Sequence, residues 1–294
     1  MPELPEVETI VNDLRDKVAG RRIVAVEVAT PTFIGGRVGL LHARQSPDEF
    51  RDRLVGKRIA VLRRRGKYLV FGLDSGDYLL MHLAMTGRLV LHQQGTACDK
   101  AIRAIFVLDD GAELRLSDVR KFGYTAVVGQ DALAALYARL GPEPLNAEFD
   151  VAELARRLQK TARPVKTLLL DQGAVAGLGN IYADEALFVA GLHPQRPANS
   201  LSPDEIQRLH AAIRETLLQG IEDRGTTIAT YVDATGEKGR HQERLQAYGR
   251  AGRPCPRCGL GIQRVEIAGR SAHFCPNCQK PEGRGQGAKE GPTD

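Results

Sequence analysis

Four cysteines near the C-terminal end, Cys255, Cys258, Cys275 and Cys278, form two Cys-x-x-Cys pairs separated by sixteen residues. This is the ligand count and spacing of a structural zinc ribbon. Two residues between cysteines let one tight turn aim both thiolates at a single ion, and a second such turn completes the tetrahedron. With four protein ligands no coordination position stays open, so the metal is structural and the module depends on it for folding. Two disulfides are the alternative. They are the weaker reading, because a fifth cysteine, Cys98, has no partner and the chain opens without an apolar secretory stretch. A redox pair would want a strand-to-helix context, whereas Cys255 and Cys275 are each followed by proline.

A second chemical cluster sits at the other end. Met1-Pro2-Glu3-Leu4-Pro5-Glu6-Val7-Glu8 puts three carboxylates and two prolines into eight residues. Removal of Met1 exposes the secondary amine of Pro2. An α-amino group titrates at about 7.7 to 8.0, so a useful share is neutral and nucleophilic near neutral pH. A secondary amine attacking a sugar C1′ gives an iminium ion directly, which is an electron sink. Glu3 is placed to move protons, and Glu6 to accept backbone hydrogen bonds and hold the terminus. The same residues also read as a plain helix start, with Pro5 in the first turn and Glu6 and Glu8 complementing the helix dipole.

The elements that must position these groups fall into two regimes. From Ile23 to Val128 the chain is mostly short β-rich runs (Ile23–Val28, Tyr68–Leu73, Tyr78–Leu83, Ile102–Leu108, Glu113–Leu116, Tyr124–Val128) split by turns such as Asp74-Ser75-Gly76-Asp77. An antiparallel sandwich or barrel is expected, preceded by a helix over Pro5–Val18 whose Val7, Ile10, Val11, Leu14 and Val18 form one stripe. From Asp131 the period turns helical, with helices expected over Asp131–Leu140, Val151–Lys160, Val165–Leu170, Ile181–Val189 and Pro203 to about Glu222. Ser202 and Glu205 make a capping box for the last of these. The fold class is therefore multi-domain α+β: an N-terminal antiparallel β-sandwich with flanking helices, a helical domain, and the zinc ribbon. The expected boundaries are 1–128, 129–225, a linker over 226–247, the ribbon over 248–280, and a disordered tail over 281–294.

At 294 residues, with 43% hydrophobic side chains, the chain is long enough for more than one core. No apolar run approaches the roughly 20 residues that span a bilayer, so no membrane partner is expected and the cytoplasm is the expected location. The net charge is only +5, but residues 240–280 hold eight arginines and lysines against Glu243 and Glu266. A basic face beside a zinc ribbon points to a polyanion.

Several further motifs, in chain order, carry a resemblance: Met1 to Glu8, Arg65-Gly66-Lys67-Tyr68-Leu69, His82-Leu83-Ala84-Met85-Thr86-Gly87, Asp118-Val119-Arg120-Lys121-Phe122-Gly123, Gly177-Leu178-Gly179-Asn180-Ile181-Tyr182, Tyr248-Gly249-Arg250, and the ribbon ending Cys278-Gln279-Lys280. Together they resemble the formamidopyrimidine-DNA glycosylases over everything but the tail. The resemblance implies a bifunctional base-excision repair enzyme acting as a monomer on damaged double-stranded DNA. Such an enzyme removes 8-oxoguanine and formamidopyrimidines and cuts the abasic strand by β,δ-elimination.

It makes Pro2 the nucleophile, Glu3 the proton shuttle, and Lys67 a phosphate contact that assists elimination. Met85, Arg120 and Phe122 fill the gap left by the rotated nucleotide, since an apolar wedge offsets lost stacking and a guanidinium bonds the orphaned cytosine. The helical domain becomes a helix-two-turns-helix element in which Asn180 contacts phosphate. Lys166 lies near the flipped nucleotide with Arg163 in support, and Arg270 on the ribbon hairpin serves the δ-elimination. The segment 226–247 becomes a lesion-capping loop, and the location becomes bacterial-type and nucleoid-associated.

Some positions depart from the family pattern. Lys100-Ala101 stands where Lys-His is common, residues 31–47 look long, and Gly239-Arg240-His241-Gln242 lacks the aromatic that often follows the glycine. Two other readings stay open: an endonuclease VIII-type enzyme for oxidised pyrimidines, and a damage-binding protein without chemistry. A zinc-ribbon RNA-binding protein is a third.

Overall fold

The computed structural model describes residues 1–38, 41–43, 45–93, 95–97 and 101–281. Cys98, Lys100 and the tail from residue 282 lie outside the described residues. The chain forms two compact units. The first comprises Met1–Glu143, Val175–Gly177 and Leu217–Arg244, and the second Pro144–Ala174, Leu178–Thr216 and Leu245–Asp294.

In the first unit the elements are α1 (Leu4–Val18), β1 (Ile23–Val28), β2 (Gly36–Val38), β3 (Leu41–Ala43), α2 (Pro47–Asp52), β4 (Ile59–Arg65), β5 (Tyr68–Leu73), β6 (Tyr78–His82), β7 (Gly87–His92), β8 (Ile102–Leu108), β9 (Glu113–Asp118), β10 (Tyr124–Val128) and α3 (Gln130–Arg139). Two antiparallel four-stranded sheets form, in the orders β1-β8-β9-β7 and β10-β6-β5-β4. The core between them takes Val26, Phe106, Leu114 and Leu89 from the first sheet and Leu62, Phe71, Leu79 and Met81 from the second, closed by the α1 stripe. The second sheet also buries its other face. There Tyr68, Val70, Leu80, Tyr124 and Ala126 pack with Leu133 and Leu136 of α3. A sheet covered on both sides buries every position, which is why β5 and β10 are almost wholly apolar, and the polar Thr125 of β10 donates to Leu80 O at 3.0 Å.

The second unit contains α4 (Val151–Leu158), α5 (Val165–Leu170), α6 (Asn180–Ala190) and most of α7 (Pro203–Glu222), then β11 (Gln263–Ile267) and β12 (Arg270–Phe274). The expected capping box starts α7: Ser202 N–H donates to Glu205 Oε2 at 2.9 Å, and Glu205 N–H to Ser202 Oγ at 3.3 Å. Helix α6 is buried along nearly its whole length and ends at Gly191, whose φ of 70° makes the left-handed cap. No helix among the described residues is long and apolar enough to cross a membrane.

Candidate active site and nucleic-acid interface

The start of the chain is packed away. Pro2 is buried, and Glu3 and Glu6 are 2% and 1% exposed. The Glu6 carboxylate joins two segments: Oε2 accepts Glu3 N–H at 2.8 Å, and Oε1 accepts Thr226 N–H at 2.6 Å. Leu4 N–H donates to Gly177 O at 3.0 Å. Gly177 has φ +89°, and a Cβ there would lie 2.7 Å from Leu4 Cδ1, so the position accepts only glycine. Gly177 thereby seats the start of the chain.

Lys67 sits in the turn between β4 and β5, 6% exposed. The turn is held by Glu143, whose carboxylate accepts Gly66 N–H (2.6 Å), Arg64 Nη1 (2.6 Å) and Arg65 Nη1 (2.8 Å). Gly66 also faces Ala176 and the Gly177 backbone, so the Lys67 turn and the first turn of α1 rest on the same short segment. Across the sheet, Tyr68 pairs with His82 and His82 with Tyr124. The register therefore brings three connections out at one end: the Lys67 turn, the 83–86 turn and the 119–123 loop.

His82 stacks on Tyr124, ring centroids 5.3 Å apart, and tilts against Tyr68 at 4.9 Å. Its Nδ1 accepts Ala84 N–H at 3.2 Å, which requires the neutral ring protonated at Nε2. Desolvation, reinforced by the Lys67 charge, pushes its pKa down to about 4. A histidine whose folded pKa lies below its unfolded 6.5 contributes stability that is complete above 6.5 and is lost as pH falls toward 4. We expect acidification across this window to cost up to about 3 kcal/mol from His82 alone. Thermal unfolding of His82→Gln should therefore vary less between pH 7 and 4.5 than that of the parent; an equal slope would remove His82 as the cause.

Met85 and Phe122 are 40% and 54% exposed, unusual for large apolar side chains, and Arg120 is exposed with its guanidinium 4.5 Å above the Phe122 ring. Their loops are cross-bonded. The buried Asp118 carboxylate accepts Thr86 Oγ1, Arg120 N–H (3.1 Å) and Gly123 N–H (2.8 Å), tying the two loops together. Ala84 and Lys121 take left-handed φ values of 48° and 59°, strain that this bonding sustains.

In the second unit Arg163 is half exposed and pairs with Asp171 at 3.1 Å. Arg270 is exposed at the start of β12, just past the Ala268-Gly269 hairpin turn. Lys166 is wholly buried, and Nζ donates to Asp184 Oδ1 and to Ser271 O at 2.5 Å each. Asp184 Oδ2 accepts His273 N–H at 3.0 Å and meets His273 Nδ1 at 2.9 Å. Asn180 Nδ2 donates to Ser271 Oγ at 3.2 Å. Lys166, Asp184 and Asn180 thus hold the strand that carries Arg270.

The four cysteine Sγ atoms lie within 4.8 Å of one another, with Cys255–Cys278 at 3.9 Å and Cys258–Cys275 at 3.5 Å. A tetrahedral zinc with 2.3 Å bonds sets its sulfurs about 3.8 Å apart, whereas a disulfide needs about 2.05 Å. The site fits one structural zinc ion.

The sequence reading missed Glu143, Asp118, Asp184 and His273 as supports. Runs such as Arg63-Arg64-Arg65, followed far along the chain by Gly141-Pro142-Glu143, carry no local sign that they meet.

The β-sandwich with its buried Pro2, the helical domain and the four-cysteine ribbon each match one part of a class of DNA-repair enzymes. The formamidopyrimidine-DNA glycosylase N-terminal domain matches residues 1–125, its H2TH domain 140–232, and the zinc finger found in FPG and IleRS 252–281. The chain is 44% identical over 280 residues to the formamidopyrimidine-DNA glycosylase of Herpetosiphon aurantiacus, and 47% over 285 to that of Heliobacterium modesticaldum, covering 95% of this chain and 100% of each relative. Among solved structures, a Lactococcus lactis FPG mutant with Fapy-dG DNA superposes with a TM-score of 0.86 at 36% identity, covering 95% of this chain and 100% of that one. The L. lactis Fpg with abasic-site DNA gives 0.86 at 37%, covering 95% and 99%. The chain belongs to the formamidopyrimidine-DNA glycosylase family, the bifunctional glycosylases and abasic-site lyases of oxidised-base repair.

Proposed function

We propose that this protein excises oxidised purines, 8-oxoguanine and formamidopyrimidines, from double-stranded DNA and then cuts the strand through a covalent intermediate on Pro2. The observation that carries this reading is the shared edge described above. The buried Pro2–Glu3 terminus and the Lys67 turn rest on one segment, and Lys67, Met85, Arg120 and Phe122 leave the sheet at one end.

With Met1 removed, the Pro2 nitrogen attacks C1′; the N–C1′ bond forms as the glycosidic bond breaks. Glu3 supplies and removes the protons that base release and sugar-ring opening require. The resulting iminium acidifies C2′. Loss of that proton expels the 3′ phosphate, and a second elimination from C4′ expels the 5′ phosphate. Lys67 and Arg270 steady these phosphate leaving groups, each by charge-assisted bonds. Met85, Phe122 and the Arg120 guanidinium occupy the space of the extruded nucleotide. Lys166 enters as a holding residue for the Arg270 strand. Asn180 and Arg163 contribute to phosphate binding from the helical domain.

Borohydride reduction during incubation with an abasic duplex tests the covalent step: the adduct should map by mass to the Pro2 nitrogen. Excision from an 8-oxoguanine:C duplex should outpace that from thymine glycol:A, and the reverse order would favour an endonuclease VIII-type enzyme. Binding without excision or trapping would make the protein a damage sensor only.

A further inference from the structure

Helix α7 ends at Glu222, and the chain then takes a left-handed step at Arg224, φ +60°. A non-glycine residue there is strained, so something must hold it. The Arg224 guanidinium bonds two carboxylates from different segments. Nη2 donates to Asp13 Oδ1 and Oδ2 at 2.9 and 2.7 Å, and Nε to Asp233 Oδ2 at 3.0 Å. Asp13 lies on α1, two turns beyond Glu6, and Asp233 is 1% exposed. The other oxygen of Asp233 accepts Thr235 N–H, Thr235 Oγ1 and Glu237 N–H, folding that turn. Burial alone would raise the Asp233 pKa, but Arg224 and these donors hold it below the usual aspartate value.

The next two residues are the ones that touch the catalytic terminus. Gly225, φ +83°, is pressed so closely on Glu6 and Tyr231 that a Cβ would fall 2.9 Å from each, and Thr226 N–H donates to Glu6 Oε1. Behind them Gly239 packs where a Cβ would meet Gly225 O at 2.1 Å. Glu6 in turn accepts Glu3 N–H. A continuous chain of bonds therefore runs from Asp13 and Asp233 through Arg224, Gly225 and Thr226 to Glu6 and Glu3.

We infer that Arg224 is a positioning residue for the Pro2–Glu3 terminus, fixing Glu6 from behind by clamping the 223–239 segment to α1. This rests on the covalent reading of Pro2 given above. Arg224→Gly is the sharpest variant, because glycine accepts φ +60° without strain and only the guanidinium is lost. Since small displacements at a reacting centre carry large rate penalties, single-turnover excision should fall on the order of tenfold or more. Affinity for the duplex should change less than twofold, Tm should fall because Asp233 stays buried without its cation, and hydrogen exchange at the Glu3 and Thr226 amides should accelerate beyond that at amides of the sandwich core. Arg224→Lys, which reaches one carboxylate at a time, should recover part of the rate. Unchanged exchange and rate in Arg224→Gly would overturn the inference. Should that variant not fold, Asp13→Asn, which leaves the Asp233 pair in place, must show the same acceleration at Thr226 or the clamp is refuted. If the parent protein neither excises nor traps, the function proposed above fails, while amide exchange still decides the clamp.

Discussion

Glu3→Gln is expected to slow base release from an 8-oxoguanine duplex by about two to four orders of magnitude in single-turnover conditions, the usual size of a lost general acid–base. Glutamine keeps the size of the side chain and leaves the Glu3 N–H bond to Glu6 untouched, so the fold of the terminus should persist. The same variant should still form a reducible adduct with a preformed abasic site, within about tenfold of the parent. There the base has already left and the abasic sugar opens to its aldehyde in water unaided, so attack by the neutral Pro2 amine and loss of water depend on Glu3 far less than base release does. The split between the two assays is the diagnostic. Equal loss in both would make Glu3 a structural support, and no loss in either would remove it from the chemistry. A form carrying an acyl group on the terminal nitrogen should fail both assays, because no lone pair is left to attack C1′.

How much of this was legible beforehand depended on how local the physics is. Helix α1 was read from one stripe of apolar residues, and the structure buries every member of it. The zinc site was read from two turns, because each Cys-x-x-Cys pair makes its own geometry. By contrast β4 escaped notice: Ile59-Ala60-Val61-Leu62 runs into Arg63-Arg64-Arg65, and the arginines suppress the strand pattern. Those arginines belong in the strand because Glu143 and Glu8, distant in sequence, neutralise Arg64. Strand β7 also escaped, since Gly87 and Arg88 open it directly after the Met85 turn.

Among site residues, the exposed Met85, Arg120 and Phe122 were legible only as part of motifs. What makes them a platform is Asp118, whose two oxygens bond partners on two loops. Lys166, expected near the flipped nucleotide from the resemblance, has in the structure a partner that no local pattern signals, Asp184 on the next helix. Pairing between sequence-distant charges leaves no periodic trace.

Stripping the metal should have the second large effect, and it should be confined to the second unit. Among the described residues the apolar cluster at the ligands is small, Phe188, Ala247, Ile262 and two of the ligands themselves, Cys255 and Cys275, and the hairpin adds Ile267, Ala272 and Phe274. A two-stranded hairpin with so small a core is not stable in water, whereas structural zinc supplies roughly 10 to 16 kcal/mol of apparent binding energy in isolated fingers. Without it β11 and β12 should unfold, taking Ser271 O from Lys166 and His273 from Asp184. The lysine and aspartate would then remain as a buried pair stripped of supporting bonds, a costly arrangement that should loosen α5 and α6 as well. The sandwich of the first unit has its own core and should keep its unfolding transition. We therefore expect chelation to release one zinc per chain, expose the amides of residues 263–274 to rapid exchange, and abolish strand cleavage through loss of Arg270. A metal-free protein that kept those amides protected and still cut an abasic duplex would show that the four thiolates are not what holds the ribbon together.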